Sequence, residues 1–382
     1  MRKSWVWGGL LVAVGLGVRL AAAEMAFRAD RGRLLPDEAR YLDAASDRSG
    51  LLARWGRPGG FEIPLGYPLW LGLLRWVSGD LGWLRFCGAL LGAASCLALI
   101  PLARGALPEG TGERLGWWIA WGACLSPLCA ASSAWLISES LYMPLLVLAG
   151  WGATAAARGS PTGALLAGIL LVGAQLARPI ALPLAFLAAG WLWAAAGRRT
   201  VLALLLGGWV CVLMLGALLG AARAGWLCFP SGRVSGTFRA AWSAENRTGY
   251  LVGGTDVPQY GAPPAEGRAA SGWRARVALT ARKIAGLWRP LPRTAQLRKG
   301  WPARLALAAW LLTMPAAAYG ALAAARFWRT AGWLLILPVY TTLLHAVFGT
   351  SLRYRMPVEP VLVVLAAWGY AALGRWLRPR GS

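Results

Sequence analysis

The sequence predicts an all-α polytopic membrane protein of about ten transmembrane helices, with juxtamembrane helices outside the bilayer. The chain has 382 residues, of which 58% are hydrophobic and only 14% are charged, and its mean hydropathy is +0.52. Apolar stretches that approach or exceed the ~20 residues needed to cross the hydrocarbon layer recur along it. These stretches lack the alternation of barrel strands, and lipid admits only helices and closed barrels. Helices are therefore expected throughout.

Ten apolar segments are the candidate spans, and short polar segments, most of them containing arginine, separate them. The first span could instead be a cleaved signal peptide, because it follows Arg2 and Lys3 and ends in small residues. Its apolar run is long for that purpose, so we expect a retained helix. The ten spans are residues 5–23, 84–103, 115–133, 139–157, 163–177, 179–196, 200–221, 302–325, 332–349 and 358–374.

Two long segments do not fit as spans and are predicted to be external loops. Within the first loop, the apolar run 67–77 is too short to cross and is interrupted by Arg75, so we expect it to lie at the outer surface. If 67–77 does not cross, the chain has ten spans, an even number, and both chain ends and the basic short loops lie in the cytoplasm, as the positive-inside rule requires. The predicted domains are a transmembrane core, 1–222, with its first external loop, 24–83; a basic external loop, 223–300; and C-terminal transmembrane helices, 301–382.

The second loop ends in a predicted amphipathic helix, "WRARVALTARKIAGLWRP" (273–290). Trp273, Val277, Ile284 and Trp288 recur at helical spacing, and most of the basic residues lie elsewhere. We expect this helix to lie on the outer leaflet and to stop at Pro290. It could be a membrane anchor or could contact a ligand, and the pattern leaves both open.

The chain is strongly basic and has few cysteines. Lys and Arg number 39 against 15 Asp and Glu, which gives a formal net charge of +24. No DNA-binding or RNA-binding motif accompanies this charge, so membrane lipids and phosphate groups are the expected partners and nucleic acid is not. The six cysteines form no CxxC pair and predict neither a disulfide framework nor a zinc site.

Ionisable residues that do not anchor cytoplasmic loops gather at the predicted external face. Because such groups are costly near membrane depth, they indicate a functional site. These residues are Asp37, Glu38, Glu62, Glu139, Arg178, Arg353 and Arg355, with Tyr354 between the last two.

Five short motifs resemble, in order, those of the GT-C glycosyltransferases, nearest to the aminoarabinose transferase and protein O-mannosyltransferase group (glycosyltransferase family 39-like). The resemblance runs from Asp37 to about Ala367. The motifs are "PDEARYLDAA" (36–45), "GGFEIPLGYPLWLGLLRWVSGD" (59–80), "SPLCAASSAWLISESLYMPLL" (126–146), "QLARPIALPL" (175–184) and "GTSLRYRMPVEPVLVVLAA" (349–367).

This resemblance implies a GT-C-like fold and an inverting enzyme of the cell membrane, with its active site on the extracytoplasmic side. The enzyme would transfer a sugar from a polyprenyl-phosphate donor to a hydroxyl of a lipid or envelope glycan. Asp37 would be the catalytic base, assisted by Glu38, because an activated donor requires mainly that the acceptor be deprotonated and held in line. Arginine forks match the departing phosphate. The residues implied to bind donor or acceptor are Tyr41, Glu62, Tyr67, Glu139, Arg178, Arg353, Tyr354 and Arg355.

The resemblance implies neither a cofactor nor a metal, because the acids form no D-x-D pattern and the arginines can serve a monophosphate leaving group. One position departs from the family. The lysine of its Phe-Glu-Lys-Pro motif, which contacts the donor phosphate, is Ile63 here. Arg54 or Arg57 could replace it.

Other interpretations remain open. The first-loop acids could balance nearby arginines such as Arg28 and Arg40, and Arg178 could be an interfacial arginine that reaches towards water. We expect His345 to be a buried, hydrogen-bonded histidine. A lipid-linked sugar flippase or transporter is the alternative function, and it would place ionisable groups along a path to both faces. A non-catalytic assembly subunit is a third possibility.

Overall fold

A computed structural model describes residues 2–29, 34–47, 64–219, 272–291 and 300–377. Every regular element in these ranges is helical, which confirms the predicted all-α class. Glu62, Ile63, Arg54 and Arg57 lie outside the described residues, as does most of the second predicted loop. The helices are α1 (Arg2–Ala29), α2 (Pro36–Ser46), α3 (Gly66–Leu74), α4 (Leu81–Ser95), α5 (Leu99–Ala106), α6 (Thr111–Leu125), α7 (Pro127–Ala134), α8 (Glu139–Ala157), α9 (Pro161–Ala177), α10 (Ala181–Ala196), α11 (Arg198–Leu219), α12 (Trp273–Leu287), α13 (Gly300–Ala325), α14 (Trp328–Val347) and α15 (Glu359–Leu377), with 3₁₀ segments at Cys96–Ala98 and Leu352–Val358.

Within the described part of the chain, six helical segments are long and apolar enough to cross a membrane, and two further apolar helices are shorter. The predicted span 115–133 is broken into α6 and α7 at Pro127, whose ring lacks the backbone N–H that a continuous helix would use. The membrane class is confirmed, and the number of ten spans stays a prediction. The six segments are Trp5–Met25, Leu81–Ala106, Glu139–Ala157, Ala303–Ala325, Trp328–Val347 and Leu352–Leu377, and the two shorter ones are Pro161–Ala177 and Ala181–Ala196.

Small residues allow close contact between pairs of long helices. A Cβ added at Gly320 of α13 would collide with the carbonyl of Leu365, and one added at Gly369 of α15 would collide with that of Ala316. The same holds where Gly168 of α9 meets α11. In lipid, such close backbone approach replaces much of the hydrophobic driving force that water supplies elsewhere.

The predicted cytoplasmic turns meet at one end of the bundle. Arg158, after α8, donates from Nε to the Gly105 carbonyl at 2.8 Å. Thr330, near the start of α14, donates to the Ala106 carbonyl at 3.4 Å. The opposite end contains the start of α8, the end of α9 and the 3₁₀ segment before α15. We call it the carboxylate end, because Asp37 and Glu139 lie there.

Helix α3 covers the run that was predicted not to span. Its nine residues reach ~14 Å, well short of the ~30 Å hydrocarbon layer. Tyr67 and Leu71 are buried in a small apolar cluster with Tyr41 and Leu136. The helix therefore packs against α2 at the carboxylate end.

Helix α12 confirms the predicted helix but buries a different face. Trp273 and Val277 are 71% and 59% exposed, whereas Leu279 and Lys283 are buried against α14 and the 3₁₀ segment. Lys283 donates to the Val347 carbonyl at 3.1 Å, at the C-terminus of α14, where unpaired carbonyls attract a cation. Burial lowers the pKa of Lys283 to about 8. The pattern set most of the basic residues apart from the apolar positions and did not indicate that Lys283 is buried.

A buried arginine lies within the apolar helix α1. Arg19 is 0% exposed and donates to the carbonyls of Gly15 and Cys124 at 3.1 and 2.9 Å. Its second terminal nitrogen lies 3.6 Å from Cys96 Sγ. Its terminal nitrogens contact backbone oxygens and thiol sulfurs of α1, α6 and the 3₁₀ turn after α4, whereas its buried Nε has no hydrogen-bond partner. The sequence patterns did not single out this residue.

Candidate active site at the carboxylate end

Helix α2 turns its first two carboxylates in opposite directions. Pro36 occupies the first helical position, where its missing N–H costs nothing. Glu38 accepts a hydrogen bond from the Leu35 N–H at 2.9 Å, which caps the helix. The Glu38 side chain is 1% exposed, whereas the Asp37 side chain is 34% exposed. Asp37 is therefore the accessible acid of the pair.

Glu38 connects three parts of the chain. Besides the Leu35 N–H, its carboxylate accepts from the Leu136 N–H at 2.9 Å and from Arg85 Nη2 at 3.3 Å. Arg85 lies near the start of α4 and was not among the predicted site residues. An arginine inside an apolar span was the signal available, since such residues are rare and usually paired. Glu38 thereby fixes α2 to α4 and to the segment before α8.

Glu139 is a fully buried acid that holds two arginines. Arg178 donates to its Oε1 at 2.5 Å, and Arg353 donates from Nη2 to its Oε2 at 2.8 Å and from Nε to its Oε1. The Arg353 contact is a two-pronged fork, the strongest carboxylate–guanidinium geometry. Glu139 also begins α8, where the helix dipole favours a negative charge.

Arg178 is directed at Glu139 by the end of α9. The residue has φ −150° and ψ 116°, an extended conformation that the following Pro179 favours. The chain therefore leaves the helix there and restarts at α10. Arg178 was predicted as a site residue, and its ion pair with Glu139 excludes the alternative of an interfacial arginine that reaches towards water.

Asp37 completes the network through Arg353. Arg353 Nη1 donates to Asp37 Oδ2, and the two side chains are 28% and 34% exposed. The nearby Arg28 instead pairs with Glu24 in α1 at 2.6 Å. The Asp37 carboxylate and a predicted phosphate-binding arginine thus share one site, as the motifs suggested.

Arg355 does not join this network. It is 1% exposed and donates from Nη1 to the Arg289 carbonyl at 2.7 Å. Its Nε lies 3.4 Å from Glu359 Oε2. On a 3₁₀ segment of three residues per turn, positions two apart point to different sides. The structure therefore separates Arg353 from Arg355, although the sequence pattern treated them as one cluster.

Aromatic side chains surround the ion pairs. Tyr41 and Tyr67 meet edge to face at 4.9 Å between ring centroids, and Ser140 donates to the Tyr67 hydroxyl at 3.1 Å. Burial raises the pKa of both tyrosines above the ordinary value, so both stay neutral near pH 7.

Tyr354 and His345 form a second aromatic layer. Tyr354 stacks on His345 at 4.4 Å, and the Arg178 guanidinium lies 5.2 Å from the Tyr354 ring centroid. His345 is 5% exposed and its Nδ1 lies 2.9 Å from the Gly349 oxygen. The expectation of a buried, hydrogen-bonded histidine is confirmed.

At the carboxylate end, the accessible Asp37 carboxylate thus lies beside the partly accessible Arg353 guanidinium. Arg353 and Arg178 both pair with the buried Glu139. Among the described residues, no group of three or more His, Cys, Asp or Glu side chains is placed to hold a metal ion. The arrangement suits proton abstraction next to a bound anion.

No protein-family model and no curated protein sequence matches the chain. Among solved structures, the chain is similar to the archaeal oligosaccharyltransferase AglB from Archaeoglobus fulgidus in complex with an inhibitory peptide and a dolichol-phosphate, with a TM-score of 0.47 and 12% identity. The alignment covers 96% of this chain and 52% of that one, so the chain spans about half its length.

Proposed function

We propose that the chain is an integral-membrane glycosyltransferase. It transfers a sugar from a polyprenyl-phosphate donor to a hydroxyl of a lipid or envelope glycan, at the extracytoplasmic face of the cell membrane. The observation that carries the proposal is the contact between the accessible Asp37 carboxylate and Arg353, which Glu139 anchors. The order of the sequence motifs supports the same class.

In the proposed reaction, Asp37 acts as the general base. The acceptor oxygen attacks the anomeric carbon, its proton passes to Asp37, and the bond from that carbon to the phosphate oxygen breaks. The electron pair of that bond leaves on the phosphate. Attack from the face opposite the phosphate inverts the anomeric configuration.

Arg353 is the proposed ligand of the departing phosphate. Its guanidinium is held on one edge by the buried Glu139, while Nη1 points to the accessible side of the site. A fixed guanidinium in a low-dielectric setting stabilises charge that develops on the leaving group. Arg178 shares Glu139 with Arg353 and keeps the site from carrying a net negative charge.

The remaining predicted residues take supporting roles in this proposal. Glu38 positions Asp37 through its contacts to Arg85 and Leu136, and Arg355 holds the 3₁₀ segment against the end of α12. Tyr41, Tyr67 and Tyr354 form neutral walls of the site. The role of Glu62 in acceptor binding stays a prediction.

The alternative function is a lipid-linked sugar flippase or transporter. One observation favours it, which is that Arg19 is a buried cation on a predicted membrane span, apart from the Glu139 network. Its contacts are local, however, with backbone oxygens and thiols. Translocation of a labelled lipid-linked sugar into vesicles without an acceptor separates this function from transfer.

The transfer reaction can be tested whichever sugar the enzyme uses. Mass spectrometry of lipids and envelope glycans from cells with the wild-type protein or the Asp37→Asn variant should show one glycan that loses a sugar and one polyprenyl-phosphate sugar that accumulates. An unchanged profile in cells that contain the variant would refute the proposal.

A further inference from the structure

We infer that the donor phosphate and Asp37 compete for the same edge of Arg353, so that donor binding releases the Asp37 carboxylate to act as the base. The inference rests on the proposed function and deepens it, because it makes one arginine both the phosphate ligand and the group that restrains the base. Deprotonation of the acceptor by Asp37 then requires a bound donor.

The partners of Arg353 differ in how easily they can be replaced. Nε and Nη2 donate to Glu139, whose side chain is 0% exposed, and Nη1 donates to Asp37, which is 34% exposed. A ligand from solvent or lipid can reach the Asp37 side of the guanidinium and cannot reach the Glu139 side. The exchangeable position is therefore Nη1.

The charges favour an exchange of one anion for another. Glu139 contacts two guanidinium groups, Arg178 and Arg353, and so compensates one of their two positive charges. Asp37 compensates the other. A sugar linked through a phosphodiester carries one negative charge, so it can replace Asp37 as the counter-ion of Arg353. Arginine accepts phosphate oxygens as well as carboxylate oxygens.

The exchange changes what Asp37 can do. A carboxylate that accepts hydrogen bonds from a guanidinium is a poorer proton acceptor than one that has lost that partner and lies beside an anion. Once the phosphate holds Arg353, Asp37 lies next to the reacting sugar and its charge can be directed at the acceptor hydroxyl. Without a donor, the carboxylate stays paired and the acceptor is not deprotonated.

The test uses purified full-length protein in nanodiscs and measures binding of a polyprenyl phosphate that carries no sugar. Asp37→Asn and Asp37→Ala both remove the competing charge, so each should bind this probe roughly three- to tenfold tighter than wild type. Arg353→Gln should bind it at least about tenfold more weakly. Asp43→Asn, on the exposed side of the same helix, is the matched control and should bind like wild type.

Unchanged or weaker binding by both Asp37 variants, with their unfolding temperatures intact, overturns the inference. If neither the wild-type protein nor any variant binds the polyprenyl phosphate, the inference is also overturned. If the Asp37 variants bind more tightly but the wild-type protein transfers no sugar, the competition stands and the proposed transferase function fails.

Discussion

Asp37 and Arg353 lie 316 positions apart in the sequence and form a direct ion pair at the carboxylate end of the bundle. The contact joins the helix that follows the first span to the 3₁₀ segment that precedes the last described helix. Glu139 contacts the other edge of the same guanidinium. Three distant motifs thus meet on one side chain.

Removal of the Asp37 charge should abolish transfer without unfolding the protein. We expect Asp37→Asn to lower kcat roughly 100- to 10,000-fold, the range of general-base catalysis. The measurement is transfer from a labelled polyprenyl-phosphate sugar in detergent, and Asp43→Asn, a change to an exposed acid on the same helix, is the control. Wild-type activity in Asp37→Asn would contradict the assignment of the base.

Replacement of Glu38 should affect both stability and the placement of Asp37. Glu38→Gln leaves Arg85 without its charged partner and turns an amide N–H towards a backbone donor, which costs about 1–3 kcal/mol. We expect a lower unfolding temperature and a fall in kcat with a smaller change in KM. If Glu38→Gln loses all activity while its unfolding temperature stays at the wild-type value, Glu38 has a direct chemical role instead.

Glu139 should be the most sensitive acid for folding. Glu139→Gln leaves two guanidinium groups in a buried site with one charge uncompensated, and breaking a buried ion pair in this way costs about 3–5 kcal/mol. Thermal unfolding in detergent measures the effect. The double variant Glu139→Gln/Arg178→Met restores the charge balance and should recover part of the loss; no recovery would show that the arginines are not coupled through Glu139.

Lys283 should make the protein more stable as the pH rises above about 8. Its pKa is lowered to about 8 in the fold from 10.5, so between these values the unfolded chain binds more protons and the free energy of unfolding rises with pH. The buried tyrosines act in the opposite direction only above about pH 10. Unfolding measured at pH 8 and pH 9.5 should show this rise in wild type and a smaller rise in Lys283→Met. Identical slopes would refute it.

The sequence predicted which residues lie at the same end of the bundle better than it predicted which way they point. Glu139, Arg178 and Arg353 could be placed together because loop charge and span parity fix the end at which each helix starts or stops. The direction of a side chain around its helix depends on packing register, which short motifs do not contain. Glu38 and Arg355 show this limit, because Glu38 was predicted to assist the base and Arg355 to bind the donor phosphate, whereas each is buried in a contact with another element.

Arg85 shows a second limit. Its partner, Glu38, is 47 positions away, and nothing in the local pattern around either residue identifies the pair. The shared burial of an acid and an arginine in an apolar protein is a reason to search for a match, but the match itself requires the fold. Tyr41 and Tyr67, in contrast, lie within the first two motifs and were included on that basis.

The position of Arg19 has a consequence for how the protein enters the membrane. An arginine near the middle of an apolar helix adds about 2.5–3.5 kcal/mol to the cost of insertion. Apart from the Gly15 carbonyl, its partners come from Cys96 and Cys124, which are synthesised 77 and 105 residues later. We expect α1 to wait beside the insertion machinery until α4 and α6 emerge, so nascent chains truncated before Cys96 should remain extractable, whereas the same truncations with Arg19→Leu should integrate.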